Sequence, residues 1–321
     1  MNSSFLHRPV NGPFEDPVIY IRLLRQKRAF LFDAGDIRNL SQRELNRISD
    51  IFITHTHIDH FIGFDSILRV VLRRDSPLRI YGGEGIRKNI EGKLRGYTWN
   101  VIQDYPCRLV VHEISRESIS VTEYTARNGF SGGEERTTPF NGVVLEGPGY
   151  RIRAGFFHHG IPVLGYALEE DYHLNINKVK LLERGLNVGE WLNRLKEAYR
   201  RGERSGEFIM DGRPHRLESL TDLLIISKGT KITYLTDIAP TEENIRKAVS
   251  FAEGSDTLYI ETYFLAVDQE RALERNHLTA ALAGRIGRLA GVRELVPLHF
   301  SPKYISLPER VIEEAMAHFT L

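Results

Sequence analysis

A chain of 321 residues, 41% hydrophobic and 26% charged, has the composition of a globular protein large enough to bury a substantial core. Lys and Arg number 43 against 42 Asp and Glu, so net charge announces no polyanionic partner, and nucleic-acid binding would need a local basic surface. A single cysteine, Cys107, excludes an intramolecular disulfide and a thiolate-rich metal site. The apolar runs Val18–Leu24 and Val292–Phe300 fall far short of the ~20 residues that span a bilayer. The N-terminal segment shows no basic stretch followed by an apolar one. A cytoplasmic protein without membrane contact is expected.

In chain order, Val18–Leu24 and Ala29–Phe32 read as paired strands joined across Arg25–Arg28, the second ending in Asp33-Ala34-Gly35-Asp36. Ser41, with Glu44 three residues on, forms a capping box for a short helix. Ile51–Thr54 is a buried strand that runs straight into His55-Thr56-His57-Ile58-Asp59-His60. A helix fits Ile62–Arg74, and strands fit Leu78–Tyr81, Arg108–Ile114, Ile119–Arg127, Val143–Leu145 and Tyr150–Phe156. From 175 to 206 the texture turns helical and charge-dense. Lys178, Lys180, Arg184, Arg194, Lys196, Arg200, Arg201 and Arg204 stand against Glu183, Glu190, Glu197 and Glu203. That stretch reads as core helices, a projecting arm, a homodimer contact or, given its charge, an ordinary surface hairpin. Strands then resume at Leu223–Ser227, Lys231–Thr236, Thr257–Glu261 and Glu294–Leu298. Helices are expected over Glu242–Glu253, Thr279–Ala290 and Pro308–Phe319.

The chemistry concentrates in His55, His57, Asp59 and His60. Residues two apart in an extended segment point the same way, so His55 and His57 converge on one cation. A tightening of the chain at Ile58 then aims Asp59 and His60 at a neighbouring one. Imidazole and carboxylate suit zinc, manganese or iron, and the absence of thiolate fits a catalytic rather than a structural zinc site.

This His-x-His-x-Asp-His pattern after a buried strand resembles the metallo-β-lactamase superfamily, which implies an α/β fold, an αββα four-layer sandwich. The resemblance makes residues 1–321 a single domain of that fold with a charged helical insertion at about 175–206. Asp33 resembles the family's early Asp, which orients a ligand histidine. His159, in His158-His159-Gly160, resembles the third-motif ligand, with His158 as the alternative. Asp237 resembles the carboxylate that bridges two metals, and His299 the last ligand. The implied metal set is His55, His57, Asp59, His60, His159, Asp237 and His299, holding two divalent ions, zinc foremost.

Within the superfamily the sequence is similar to the ribonuclease Z branch. His159-Gly160-Ile161-Pro162-Val163-Leu164-Gly165-Tyr166, Ile260-Glu261-Thr262-Tyr263-Phe264, His277-Leu278-Thr279 and His299-Phe300-Ser301 with Tyr304 carry that likeness. It implies a phosphodiesterase in which a metal-held hydroxide attacks phosphorus. Asp59, His277 and Glu261 are the implied catalytic residues: Asp59 orients the nucleophile or takes its proton, and Glu261 readies His277 to protonate the leaving oxygen. A tRNA precursor cut as by an endonuclease in 3′-end processing is the implied substrate. A plainer reading makes His277 a neighbour of the helix cap before Thr279–Ala290.

The chain departs from that branch in places that bear on substrate. Phe5-Leu6-His7-Arg8-Pro9 replaces its opening Phe-Leu-Gly-Thr and Pro-Lys-Arg segments, and Ala34-Gly35-Asp36-Ile37-Arg38 replaces Gly-Glu-Gly-Thr-Gln. Ile58 stands where the branch has glycine. Leu186-Asn187-Val188-Gly189-Glu190 replaces the Gly-Pro motif of its tRNA-gripping arm, and Lys303 replaces an Arg. Two further readings therefore stand beside the first. One is a hydrolase of a small molecule (a lactone, a sulfate ester or a cyclic phosphodiester), and the other a binding protein that has lost turnover.

Overall fold

The computed structural model describes residues 4–24, 26–210 and 212–320, so Arg25 of the expected Arg25–Arg28 connection lies outside them. One sheet is laid down in chain order: β1 (Phe5–Pro9), β2 (Ile19–Leu23), β3 (Ala29–Phe32), β4 (Ile48–Phe52), β5 (Leu78–Gly83), β6 (Arg108–Ile114), β7 (Ser118–Thr125) and β8 (Gly132–Pro139). Strands β3 to β6 are parallel and the flanking pairs antiparallel. Parallel neighbours need crossovers, supplied here by α1 (Gln42–Leu45), α2 (Ile58–Phe61) with α3 (Phe64–Val71), and α4 (Ile86–Arg95). The capping box at Ser41 and Glu44 is present. A strand forms at Phe5–Pro9 although the Gly-Thr of the ribonuclease Z opening is missing.

The second sheet begins with the meander β9 (Val143–Gly147), β10 (Tyr150–His158) and β11 (Pro162–Glu170). The chain then leaves through β12 (Tyr172–Ile176), α5 (Lys178–Glu183), α6 (Trp191–Arg200), the hairpin β13 (Glu207–Met210) and β14 (Arg213–Arg216), and β15 (Leu224–Lys228), which pairs with β12. It returns with β16 (Lys231–Leu235), α7 (Glu242–Ala252), β17 (Thr257–Glu261), α8 (Gln269–Arg275), α9 (Ala280–Leu289), β18 (Glu294–Leu298) and α10 (Pro308–Thr320). The sheet order is β18-β17-β16-β11-β10-β9.

The period of two along each strand divides the side chains between layers. Phe30, Phe32 and Phe52 pack between the sheets with Tyr81, Leu164, Tyr166 and Tyr234, whereas their neighbours Leu31, Ile51 and Ile53 pack outward on Phe64, Ile67 and Ile90. On the other side, Leu235, Leu258 and Ile260 meet Ala283, Ile286 and Val311. Each fully buried aromatic contributes on the order of 2 kcal/mol. Helices thus cover both outer faces of two stacked sheets, the four-layer αββα sandwich expected.

The charge-dense helices lie on a local core of their own. Leu181, Trp191, Leu192 and Leu195 pack with Met210, Leu217, Leu220 and Leu223 in a cluster separate from the sandwich layers. Part of the cationic surplus is neutralised from outside the 175–206 stretch: Asp222 takes Lys180 at 3.2 Å and Arg184 at 2.6 Å.

Candidate metal centre

Five strand ends deliver the site. Asp33 follows β3, the His55–His60 run follows β4, Asp237 follows β16, Glu261 ends β17 and His299 follows β18. His159 comes from the β10–β11 turn. Parallel pairing of β3 with β4, of β16 with β17 and of β17 with β18 puts these C-terminal ends at one edge of the sandwich. Asp33, Asp237 and His299 have φ of 57°, 53° and 55°. That left-handed conformation costs an L-residue about 1–2 kcal/mol, and strain of this kind gathers where a side chain must be aimed. The tightening expected at Ile58 is the helical turn α2, with His57 as its N-cap.

Close backbone contact holds the Asp33 loop to this turn. Ala34 N–H donates to His60 O at 2.9 Å and Gly63 N–H to Ala34 O at 2.8 Å. A Cβ on Gly35 would lie 2.2 Å from Asp59 O, and one on Gly63 2.2 Å from Gly35 O. Neither position admits a side chain. The helix expected over Ile62–Arg74 is α3, which starts after Gly63 as its N-cap and ends at Val71.

Asp237 is the hub. Its carboxylate lies 2.7 Å from His60 Nε2, 3.9 Å from His55 Nε2, 3.7 Å from His159 Nε2 and 3.5 Å from His299 Nδ1. Asp59 lies 3.4 Å from both His60 Nε2 and His299 Nε2. The His57 ring sits 4.3 Å from that of His55; His57 is exposed and stands at the mouth. The ligand atoms of His55, His60 and Asp237 form one mutually close group, and those of Asp59, His60 and His299 another. Asp237, Glu261, His277 and His299 form a third, although His277 lies closer to Glu261, at 2.8 Å, than to Asp237, at 3.3 Å.

The outer partners of these imidazoles fix their tautomers, because carboxylate and carbonyl oxygens only accept. His60 Nδ1 donates to Asp33 Oδ2 at 2.8 Å, and His159 Nδ1 to Asn276 O at 2.7 Å. The Thr54 hydroxyl donates to Asp33 Oδ2 and lies 3.0 Å from His55 Nδ1, which therefore donates to it. In each case Nε2 is left with a lone pair turned inward. Nε2 of His55 and of His60 are buried without a hydrogen-bond partner. Orphaned ring nitrogens around a buried carboxylate are the donor set a divalent cation takes up, so the residues present fit such an ion.

Charge coupling agrees. Burial, reinforced by His60, pushes the His55 imidazole down to about 2, and burial lowers His57. At His60 burial is outweighed by Asp237 and Asp33, which raise it. Burial opposes ionisation of Asp59 and Asp237 too. The nearby His299 and His60 nevertheless hold both carboxylates well below the usual range.

Beside this hub stand Glu261 and His277. Glu261 is fully buried, accepts Ile238 N–H at 2.6 Å through Oε1 and takes His277 Nδ1 at 2.8 Å through Oε2. Burial works against a protonated His277, but the Glu261 carboxylate raises it overall. The Tyr263 ring stacks on His277 at 3.9 Å and 8°. The structure brings all the expected site residues to one edge, and of the two adjacent histidines it turns His159 inward. His158, which is exposed, accepts Gly160 N–H instead. Sequence reasoning passed over Thr54, Tyr263 and Asn276, whose roles depend on contacts with residues far along the chain.

Comparison with known proteins adds to this geometry. Residues 23–160 match the model of a beta-lactamase superfamily domain. A ribonuclease Z of Deinococcus radiodurans is 29% identical over 278 residues, 85% of this chain and 82% of that protein. A ribonuclease BN of Proteus mirabilis is 27% identical over 318 residues, covering 95% and 90%. Among solved structures, the metallo-beta-lactamase fold protein YhfI from Bacillus subtilis aligns with a TM-score of 0.57 at 14% identity, over 98% of this chain and 93% of that one. The short form of human tRNase Z aligns with a TM-score of 0.53 at 19% identity, over 94% and 93%. The two solved structures, at such identities, speak to the fold alone.

Proposed function

Starting from a chain that belongs to the metallo-β-lactamase superfamily, in its ribonuclease Z-like branch, we propose that it is a two-metal phosphodiesterase cutting RNA near a 3′ end. The observation that carries this is the Glu261–His277 pair, 2.8 Å apart beside the Asp237 hub. Opening a lactone makes no special demand for a second, non-ligand acid, whereas expelling a ribose oxygen from phosphorus does.

In this reading His55, His57 and His159 would hold one divalent ion and Asp59, His60 and His299 the other, with Asp237 available to both, and zinc is the ion the donors favour. When bound, such ions supply Lewis acidity to the phosphoryl group and acidify water. The chain's own residues do the rest. Asp59, half-buried at the edge of the ligand set, accepts the proton of the attacking water. As the new P–O bond forms and the old one breaks, His277 Nε2 gives a proton to the departing oxygen. Glu261 holds the opposite ring nitrogen, so that Nε2 faces the substrate.

The excursion from β12 to β15 occupies the interval of the tRNA-gripping arm, and we read it as an appended RNA-contacting module on the sandwich. Its surface is less cationic than its helices alone imply, because Asp222 binds two of the basic residues. No helix among the described residues is long and apolar enough to cross a membrane.

The deciding experiment is a parallel assay of the zinc-loaded protein on a 3′-extended tRNA precursor, bis(p-nitrophenyl) phosphate and a simple lactone. The expected result is cleavage of the first two with the precursor preferred. Lactone opening without phosphodiester cleavage would replace this reading with the small-molecule one.

A further inference from the structure

Asn276 takes no part in the ligand set or the acid pair, yet it sits between them. It follows α8 in the left-handed conformation, with φ of 59° and ψ of 33°. Its N–H donates to Leu273 O at 3.2 Å, and the next N–H, that of His277, donates to Ala272 O at 3.0 Å. This is the Schellman ending of a helix, which reverses the chain within two residues. The reversal does two things at once. It swings His277 back until Nδ1 reaches Glu261 at 2.8 Å, and it turns the Asn276 carbonyl onto His159 Nδ1 at 2.7 Å. The rings of His159 and His277 consequently lie 4.5 Å apart.

We infer that Asn276 is a positioning residue that sets the metal ligand His159 and the acid His277 in one fixed relation. The inference rests on the roles proposed above for those two histidines. Its working part is the backbone: a residue tolerant of positive φ whose carbonyl accepts from His159. Asparagine and glycine meet that condition, while a β-branched residue does not. A ligand whose outer hydrogen bond is misdirected binds metal less tightly, typically by about 10–100-fold. A displaced His277 lowers kcat more than it raises KM, because it acts mainly in the transition state.

The test compares the parent, Asn276→Gly and Asn276→Val by competitive zinc titration, by circular dichroism and by kcat and KM on the 3′-extended tRNA precursor, whose departing ribose oxygen needs a proton. Asn276→Val is expected to lose at least about tenfold in zinc affinity at one site and to lose kcat with KM nearly held. Asn276→Gly is expected to restore both properties to near the parent's. Should Asn276→Val fail to fold, Asn276→Ala, strained but smaller, is measured in its place. Parental zinc affinity in the strained variant overturns the inference, as does equal damage in the glycine variant, which would assign the effect to the side-chain amide. A parent that binds no zinc removes the metal-centre reading and this coupling together. A parent that binds zinc alongside an undamaged valine variant removes the coupling alone.

Discussion

Asp33 Oδ2 lies 2.8 Å from His60 Nδ1 and 2.7 Å from the Tyr234 hydroxyl, so one buried carboxylate from the first sheet grips both a site histidine and a strand of the second sheet. Asp33→Asn keeps a residue that tolerates positive φ but puts an amide where three donors, from His60, Tyr234 and Thr54, need an acceptor. Zinc affinity is expected to fall by about 10–100-fold, measured by competition with a chromophoric chelator. Unchanged affinity would show that His60 does not depend on this hydrogen bond.

Asp237→Ala takes away a carboxylate that lies within 3.9 Å of five imidazoles. The purified parent is expected to hold about two transition-metal ions per chain, and the variant to lose most of them, as read by elemental analysis. Full metal retention in the variant would sink the ligand assignment.

For His277→Ala the expectation turns on the leaving group. An alkoxide leaves slowly without a proton donor, whereas p-nitrophenolate is a good leaving group on its own. RNA cleavage should slow by about 10²–10⁴-fold, bis(p-nitrophenyl) phosphate cleavage much less, and metal content should be held. Equal losses on both substrates would argue against an acid role.

The outlying histidine His112 gives a pH prediction. It stacks on Tyr81 at 4.2 Å with Nε2 buried and unpartnered, and burial, aided by Arg79, lowers it from 6.5 to about 4. Between those values the unfolded chain binds a proton that the folded chain does not, so stability falls as pH drops through this window and levels off below it. His112→Phe keeps the stack without the titration. Between pH 7 and pH 5 it should lose about 2 kcal/mol less than the parent in denaturant unfolding. Parallel pH curves for the two proteins would refute this.

The cluster proposed to hold metal was legible because a strand's two-residue period and a following helical turn place His55, His57, Asp59 and His60 with little tertiary help. Asp237 and His299 were legible by their order after strand-like runs, although nothing local marks their positive φ. Other features were hidden for definite reasons. Strand β8 is exposed on both faces and so shows no apolar alternation. Helix α4 has Ile86, Ile90 and Leu94 at four-residue spacing, a signal masked by the surrounding glycines and polar residues. Asp222 lies beyond the stretch whose charge it offsets, and the Asn276 carbonyl serves a histidine 117 positions earlier.

The left-handed residues closing β3, β16 and β18 bear on the order of events. A donor aimed by its own backbone, on strands locked into a finished sandwich, needs no cation to find its direction. The cluster resembles a mould that hardens before casting. Stripping the metal with a chelator should then empty the centre and abolish turnover while far-ultraviolet dichroism and cooperative melting persist, and returning zinc should restore activity without a refolding lag.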